Sequence, residues 1–193
     1  NKYDVVAELI NPNSRFLAKF SYYFVINGEK TPMQKTFLLP GESRFVASLG
    51  IKDGAGTAPA IVLENVEYSR ISAHEVPNTL GWQAYRLNFQ VSDFTFLKSL
   101  AQEGSNTDAV QFKLTNGSPY SYVSVDFYIA LLQNGEMVGI LPLHLDSINS
   151  LETKNIDIRN FVSGLSISEI ALYPIINVYD ENVFLTPPTS GAN

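Results

Sequence analysis

The chain has 193 residues, of which 45% are hydrophobic, 12% aromatic and 17% charged, with a net charge of −6 and no cysteine. This composition predicts one ordinary or two small folded domains, and it excludes a disordered chain, disulfides, thiolate metal sites and thiol catalysis. The acidic pI, near 4.9, argues against binding to nucleic acid or anionic membrane surfaces.

The two ends of the chain predict features outside the folded domains. The sequence begins at Asn1 rather than at a methionine, which favours a processed product with a signal peptide or membrane anchor upstream. At the other end, residues 186–193 contain two prolines and show no apolar periodicity, and this pattern predicts a flexible tail.

Alternation of apolar and polar residues dominates the chain between these ends. The even-numbered residues of Phe20–Ile26 and the odd-numbered residues of Val123–Leu131 are apolar, so each segment predicts a strand with one wall facing a core. The opposite walls carry Tyr23, Asp126 and Tyr128, as expected where a sheet face meets water. Both strands run into an Asn-Gly-Glu sequence, which is typical of a tight hairpin turn.

The same reasoning predicts further strands, and one short segment has helical spacing. The further strands are Asp4–Ile10, Gln34–Leu39, Ser43–Leu49, Ala60–Ala73, Ala84–Val91, Ala109–Thr115, Val138–Leu145, Glu152–Ile158 and Ile167–Val178. In Asp93–Gln102, the spacing of Phe94, Leu97 and Ala101 predicts a helix.

An internal repeat is the most informative feature of the sequence. Segments of the first half recur in the same order about 105–110 positions later. The matches are Glu8–Ser14 with Lys113–Pro119, Phe20–Glu29 with Val125–Glu136, Leu38–Ser43 with Ile148–Thr153, and Pro59–Val66 with Ser168–Pro174. The repeat predicts an all-β fold of two tandem immunoglobulin-like or fibronectin-III-like β-sandwich domains. We place them at residues 1–82 and 83–185, followed by the tail at 186–193.

These motifs resemble a known group of modules. The Asn11-Pro12-Asn13 turn, the aromatic strand entering Asn27-Gly28, its counterpart entering Asn134-Gly135, and the Leu39-Pro40-Gly41-Glu42 corner are similar to those of FxLYD and LEA-type-2 (water-stress) domains. The chain also resembles tandem-sandwich proteins of small-genome bacteria that usually carry an N-terminal membrane anchor. The resemblance implies an extracytoplasmic, non-enzymatic module with no catalytic residues to transfer.

Nucleophilic catalysis has little support in the sequence. His74 and His144 are its two imidazoles, and we interpret both as ordinary surface or rim histidines without metal-ligand spacing. The Gly-x-Ser-x-Gly elbow is absent, because Ser163-Gly164-Leu165-Ser166 lacks its spacing.

Carboxylates and glycine-rich loops likewise predict no cofactor and no metal site. Asp126, Glu64 and the adjacent pair Asp180 and Glu181 are explained by solvated faces. Asp53–Gly56 and Asp180–Asn182 are too sparse for a calcium loop, and Gly50–Gly56 lacks the lysine of a phosphate-binding loop.

Aromatic residues give the binding candidates. Tyr23, Trp82, Tyr85 and Tyr128 could form a platform that stacks on sugar rings, although aromatic residues more often fill sandwich cores. Asn116-Gly117-Ser118 also fits the pattern of an N-glycosylation acceptor.

From these observations we expect a non-enzymatic extracytoplasmic protein, at the cell surface or in the periplasm, that acts as an interaction, adhesion or spacer module. Its partner would be a protein or a cell-surface component that meets loops or edge strands. Two alternatives stay open. One is a carbohydrate-binding module, and the other is a two-domain pilus-type periplasmic chaperone in which Arg70 or Arg86 would anchor a partner's terminus.

Overall fold

The computed structural model describes residues 2–52, 58–98, 108–161 and 166–185. The strands are β1 (Lys2–Ile10), β2 (Phe16–Ile26), β3 (Glu29–Lys30), β4 (Gln34–Leu38), β5 (Ser43–Lys52), β6 (Ala60–Arg70), β7 (Phe89–Leu97), β8 (Asp108–Asn116), β9 (Tyr122–Gln133), β10 (Glu136–Ile148), β11 (Thr153–Phe161) and β12 (Glu169–Ile175). One α-helix, α1 (Thr79–Arg86), and a 3-10 turn at Glu181–Val183 complete the described elements. The predicted all-β, sandwich-type fold is confirmed.

The chain divides into two compact units, Asn1–Gln83 (unit 1) and Ala84–Asn193 (unit 2). In unit 1, β1 pairs antiparallel with β5 to form one sheet. In the other sheet β2 is central, with β6 along one edge and β3 and β4 along the other. The core of unit 1 lies between the sheets, where Val5 and Val46 face Phe20, Tyr22 and Phe24.

Unit 2 repeats this arrangement with two differences: β7 lies beside β8, and one long strand, β10, takes the place of β3 and β4. Its sheets have the orders β11-β8-β7 and β10-β9-β12, and all pairs are antiparallel. Val110 and Leu114 of β8, together with Phe127 and Ile129 of β9, are fully buried between them. Sandwich cores are built in this way from the inward-facing residues of both sheets.

The sequence repeat corresponds to a repeated set of hydrogen bonds. At the end of β1, the buried Asn11 amide donates to Phe16 O at 2.7 Å and accepts from Asn13 N at 3.2 Å. At the end of β8, the buried Asn116 amide donates to Tyr120 O at 2.7 Å and accepts from Ser118 N at 3.1 Å. An asparagine side chain both donates and accepts, so one residue satisfies a backbone turn that leaves the sheet.

A glutamate braces the next turn in each unit. Glu42 accepts a hydrogen bond from Leu39 N, and Glu152 accepts one from Asn149 N, both at 2.6 Å. The backbone N–H of Asn11 donates to Glu42 O at 2.8 Å, and that of Asn116 donates to Glu152 O at 2.9 Å. The turns that contain Glu42 and Glu152 therefore have the same hydrogen bonds, both within the turn and to the asparagine that ends β1 or β8.

The predicted helix at Asp93–Gln102 is wrong for its described part, because β7 extends through Leu97. Asp93 adopts φ +54°, and the register with β8 shifts between Ser92 and Thr95. This bulge separates the half-buried Val91 and Phe94 by three positions instead of two. Phe94 and Leu97, whose spacing predicted the helix, lie on opposite faces of the strand, and Leu97 is exposed.

Two further expectations need correction. The predicted strand Ala84–Val91 begins inside α1, whose N-terminus is capped by Asn78 Oδ1 accepting from Gly81 N at 3.0 Å. Within β9, Ser124 adopts φ +53°, so the alternation breaks there; Tyr122 is buried and Val123 is exposed.

Three segments named in the sequence analysis lie outside the described residues. They are the proposed tail at 186–193, most of Ser163–Ser166, and Asp53–Gly56.

Candidate interaction surface

Unit 1 exposes a row of large apolar side chains along β6. Leu63, Val66 and Tyr68 are 43%, 43% and 58% exposed, and Phe16 lies edge-on to Tyr68 with ring centroids 6.5 Å apart. Ile10, at the end of β1, is 66% exposed. Single exposed apolar residues are ordinary, whereas three on one strand form a patch that usually has a function.

The register shows that Leu63 and Tyr68 point toward the inner side of their sheet. Leu63 lies opposite Tyr22 and Tyr68 lies opposite Ala18, and both of these β2 residues are buried in the core. Directly opposed residues of an antiparallel pair share a face. Leu63 and Tyr68 are therefore core-facing positions that remain open to solvent, and we call the row Leu63, Val66 and Tyr68 the β6 patch.

The acidic groups of β6 lie on its other face. Glu64 accepts a hydrogen bond from the Tyr23 hydroxyl at 3.1 Å, and Glu67 lies opposite Lys19. This separation leaves the inward side of β6 apolar as far as Tyr68, with Arg70 following at the end of the strand, so the surface suits an apolar partner better than an ion.

Tyr23, predicted on a solvated wall, is buried. The Lys30 ammonium lies 4.6 Å above its ring, and the hydrogen bond with Tyr23 raises the pKa of Lys30. The face of the ring that a sugar would need is therefore already covered.

The other three predicted aromatic residues lie on α1 and β9. Trp82 is half-buried on α1, and Tyr85 is exposed but rests edge-on against Tyr120, with centroids 5.9 Å apart. Tyr128 is half-buried on β9, between Pro142 of β10 and Tyr173 of β12.

The structure brings together two groups that the sequence treated separately. His144 Nδ1 lies 2.7 Å from Asp126 Oδ1, and His144 Nε2 lies 3.5 Å from Asp146 Oδ1. All three side chains are exposed, and the hydrogen bond with Asp126 raises the pKa of His144. Regular counting outward from the Asn134-Gly135 turn would pair Asp126 with Leu143. The register shift between Met137 and Gly139 places His144 opposite Asp126 instead, so the turn alone could not have predicted this contact.

The remaining candidate residues have structural surroundings. His74 is exposed in the segment after β6, and Asp180 Oδ1 accepts from Asn182 N at 3.0 Å at the start of the 3-10 turn. Arg70 is exposed, whereas the buried Arg86 stacks 4.4 Å over the Tyr120 ring. Asn116 is fully buried, so its amide is closed to glycosylation.

The described residues contain no cluster of three or more histidine, aspartate or glutamate side chains arranged to hold a metal ion. Within the same residues, α1 is too short to traverse a lipid bilayer, and no helix is longer than α1.

No protein-family model and no curated protein sequence matches the chain. Among solved structures, the chain is similar to Bacteroides uniformis β-glucuronidase, with 11% identity and a TM-score of 0.23 over 89% of this chain. The chain spans about a fifth of that enzyme's length, because the match covers 21% of it.

Proposed function

We propose that the protein is a non-enzymatic interaction module that binds a polypeptide partner outside the cytoplasm. The observation that carries the proposal is the β6 patch, whose Leu63 and Tyr68 are core-facing yet exposed. Covering the exposed part of these side chains contributes about 25 cal/mol per Å² of apolar surface removed from water, and buried apolar and aromatic side chains dominate the affinity of many protein interfaces.

A selection experiment tests the binding function directly. A random library of 12-residue peptides displayed on phage is selected on the immobilised protein and, in parallel, on a Leu63→Ser/Tyr68→Ser variant. We expect sequences rich in apolar residues to be enriched on the wild type only. A Leu151→Ser variant is the control, because Leu151 is 73% exposed in unit 2 and should leave the selection unchanged.

Two results would contradict the proposal. One is the same enrichment on the Leu63→Ser/Tyr68→Ser variant as on the wild type. The other is turnover of a substrate in a broad hydrolytic panel that disappears in His144→Gln or Asp126→Asn, because these residues form the His–carboxylate contact on β9 and β10.

A further inference from the structure

Unit 1 contains an open cavity at the end of its sandwich where β2 enters the Asn27-Gly28 turn. The cavity has a volume of about 770 Å³ and lies between the hairpin that follows β2 and the C-terminal end of β5. Its lining includes the apolar residues Ile26, Pro32, Leu49 and Ile51 and the polar residues Gln34 and Ser48. Sites for small molecules are typically clefts of about 300–1,000 Å³ with apolar walls and a few polar groups.

Ser48 brings a hydroxyl group into the interior of the sandwich. In the pairing of β1 with β5, Ser48 lies opposite Val5, a core residue, so both side chains face inward. Only 5% of Ser48 is exposed, and its hydroxyl has no hydrogen-bond partner among the described residues. A buried hydroxyl without a partner is unfavourable. The Ser48 hydroxyl is therefore a group that a ligand in the cavity could satisfy.

Unit 2 has an apolar residue at the equivalent position. Six positions after Glu152 the chain reaches Ile158, which lies opposite the fully buried Val110. Six positions after Glu42, the equivalent glutamate of unit 1, it reaches Ser48. A serine at this level of the core both leaves more space than an isoleucine and adds a polar group.

A second polar side chain lies near Ser48. Gln34 of β4 pairs with Tyr22 of β2, and its Oε1 accepts a hydrogen bond from the Tyr22 hydroxyl at 2.8 Å. Its Nε2 donates to Ala47 O, next to Ser48 in the chain, at 3.0 Å. These two bonds fix Gln34 at the wall of the cavity. The inward-facing pairs of β9 and β10 in unit 2 are apolar at the corresponding levels: Phe127 with Leu143, and Ile129 with Leu141.

We infer that the cavity binds an uncharged small molecule that has an apolar body and a hydroxyl or carbonyl oxygen directed at Ser48. The apolar body would contact Ile26, which is buried, and Ile51, which packs against the core. Its burial would supply most of the affinity, and the hydrogen bond with Ser48 would fix the orientation. This site is separate from the β6 patch and goes beyond the proposed function.

The charges around the cavity favour an uncharged ligand. Glu29 and Lys52 line it, are both exposed, and have opposite signs. Lys30 also lines it, but its ammonium lies over the Tyr23 ring. The remaining two charges balance, so neither an anion nor a cation has a complementary site here.

The position of the cavity separates it from the outer edge of β1. Its described lining comes from β5 and from the hairpin that follows β2, with no residue of β1 or β6. β1 pairs with β5 along one edge, so a strand along the other edge of β1 would have β1 and β5 between it and the hairpin. Such a strand would leave the cavity open.

Two probes that differ by one hydroxyl group test this inference. 2-Naphthol and naphthalene, both uncharged at neutral pH, are titrated separately into the intact protein up to their solubility limits. Binding is followed by the NMR chemical shifts of the backbone amides. We expect 2-naphthol to shift the amides of Ile26, Gln34 and residues 48–51. Ser48→Ala should weaken the binding of 2-naphthol by about three- to tenfold and leave that of naphthalene unchanged, because only 2-naphthol loses a hydrogen bond.

Three further variants locate the site. Ser48→Ile introduces the residue of unit 2, fills the cavity and should abolish the binding of both probes, while circular dichroism confirms that the variant is folded. Ser69→Ala makes the same substitution as Ser48→Ala at an exposed position of β6 and should leave both affinities unchanged. Leu63→Ser/Tyr68→Ser alters the β6 patch and should also leave them unchanged.

The outcomes separate this inference from the proposed function. The inference is overturned if 2-naphthol shifts none of the cavity amides, or if Ser48→Ala affects both probes equally or neither of them. Binding that survives in Ser48→Ile and disappears in Leu63→Ser/Tyr68→Ser would assign the probe to the β6 patch and overturn the cavity site. The phage selection concerns the β6 patch alone, so either proposal can fail while the other stands.

Discussion

Glu42 and Glu152 hold the same position in the two units, and each accepts a hydrogen bond of 2.6 Å from the backbone N–H three residues earlier. Their electrostatic surroundings have diverged. The side chain of Glu42 is 16% exposed and lies 3.2 Å from the buried Arg44, and this partial burial raises the pKa of Glu42 more than Arg44 and the Leu39 N–H lower it. The Asn149 N–H, by contrast, holds the pKa of Glu152 below its usual value. The duplicated turn has kept its geometry while its charge balance has changed.

The lowered pKa of Glu152 predicts a pH-dependent contribution to the stability of unit 2. Because the pKa of the folded state lies below the unfolded value of about 4.5, the carboxylate stabilises the fold above pH 4.5. That contribution is lost as the pH falls through the folded pKa. We expect Glu152→Gln to lower the free energy of unfolding at pH 7 and to have little effect near pH 2, in urea titrations followed by circular dichroism. Glu136→Gln, on an exposed residue, is the control; an equal loss at both pH values would refute the charge effect.

Asn116→Ala should strongly destabilise unit 2. The Asn116 amide donates to Tyr120 O at 2.7 Å and to Asn149 O at 3.0 Å, and its oxygen accepts from Ser118 N. Truncation leaves these groups without their partner in a buried site, at a cost of about 1–3 kcal/mol for an unsatisfied group. We expect the free energy of unfolding to fall by about 2–4 kcal/mol in urea denaturation. Gln133→Ala, on an exposed residue, should change the free energy of unfolding by less than about 0.5 kcal/mol. A similarly small change for Asn116→Ala would contradict the stabilising role of the Asn116 hydrogen bonds.

The contact between His144 and Asp126 predicts a titration that one substitution should alter. The hydrogen bond raises the pKa of His144 above its usual value of 6.5, so the contact stabilises the fold below pH 6.5 and is lost as the pH rises through the folded pKa. In an NMR titration, Asp126→Asn should move the pKa of His144 down. The chain has two histidines, so a His144→Gln variant assigns the signal. An unchanged titration in Asp126→Asn would show that the 2.7 Å contact is not formed in solution.

The repeat and most strands could be predicted because the information is local. Period-two alternation identified β2 and the greater part of β9, and the Asn-Gly turns after them have the positive φ angles that such turns require: +52° at Asn27 and Asn134, +84° at Gly28 and +82° at Gly135. Two of the errors lie beside a residue with positive φ that breaks the alternation. Asp93 lies in the bulge of β7, where a helix was predicted, and Ser124 exchanged the burial of Tyr122 and Val123.

The candidate surface could not be predicted from alternation, because exposure depends on what lies across the sandwich. Leu63 has the sequence pattern of a core residue and faces the inner side of its sheet, yet it is exposed. Tyr23 has the pattern of a surface residue, yet Lys30 covers it. Only the pairing of the described strands shows that β1 has one neighbour, β5, where β8 has two.

Amide hydrogen exchange tests the open edge of β1 most directly. In the protein alone, about half of the amides of Tyr3–Ile10, those directed away from β5, should exchange rapidly, whereas those of the equivalent residues 108–115 in β8 should be protected on both sides. Equal protection of β1 and β8 would contradict the account.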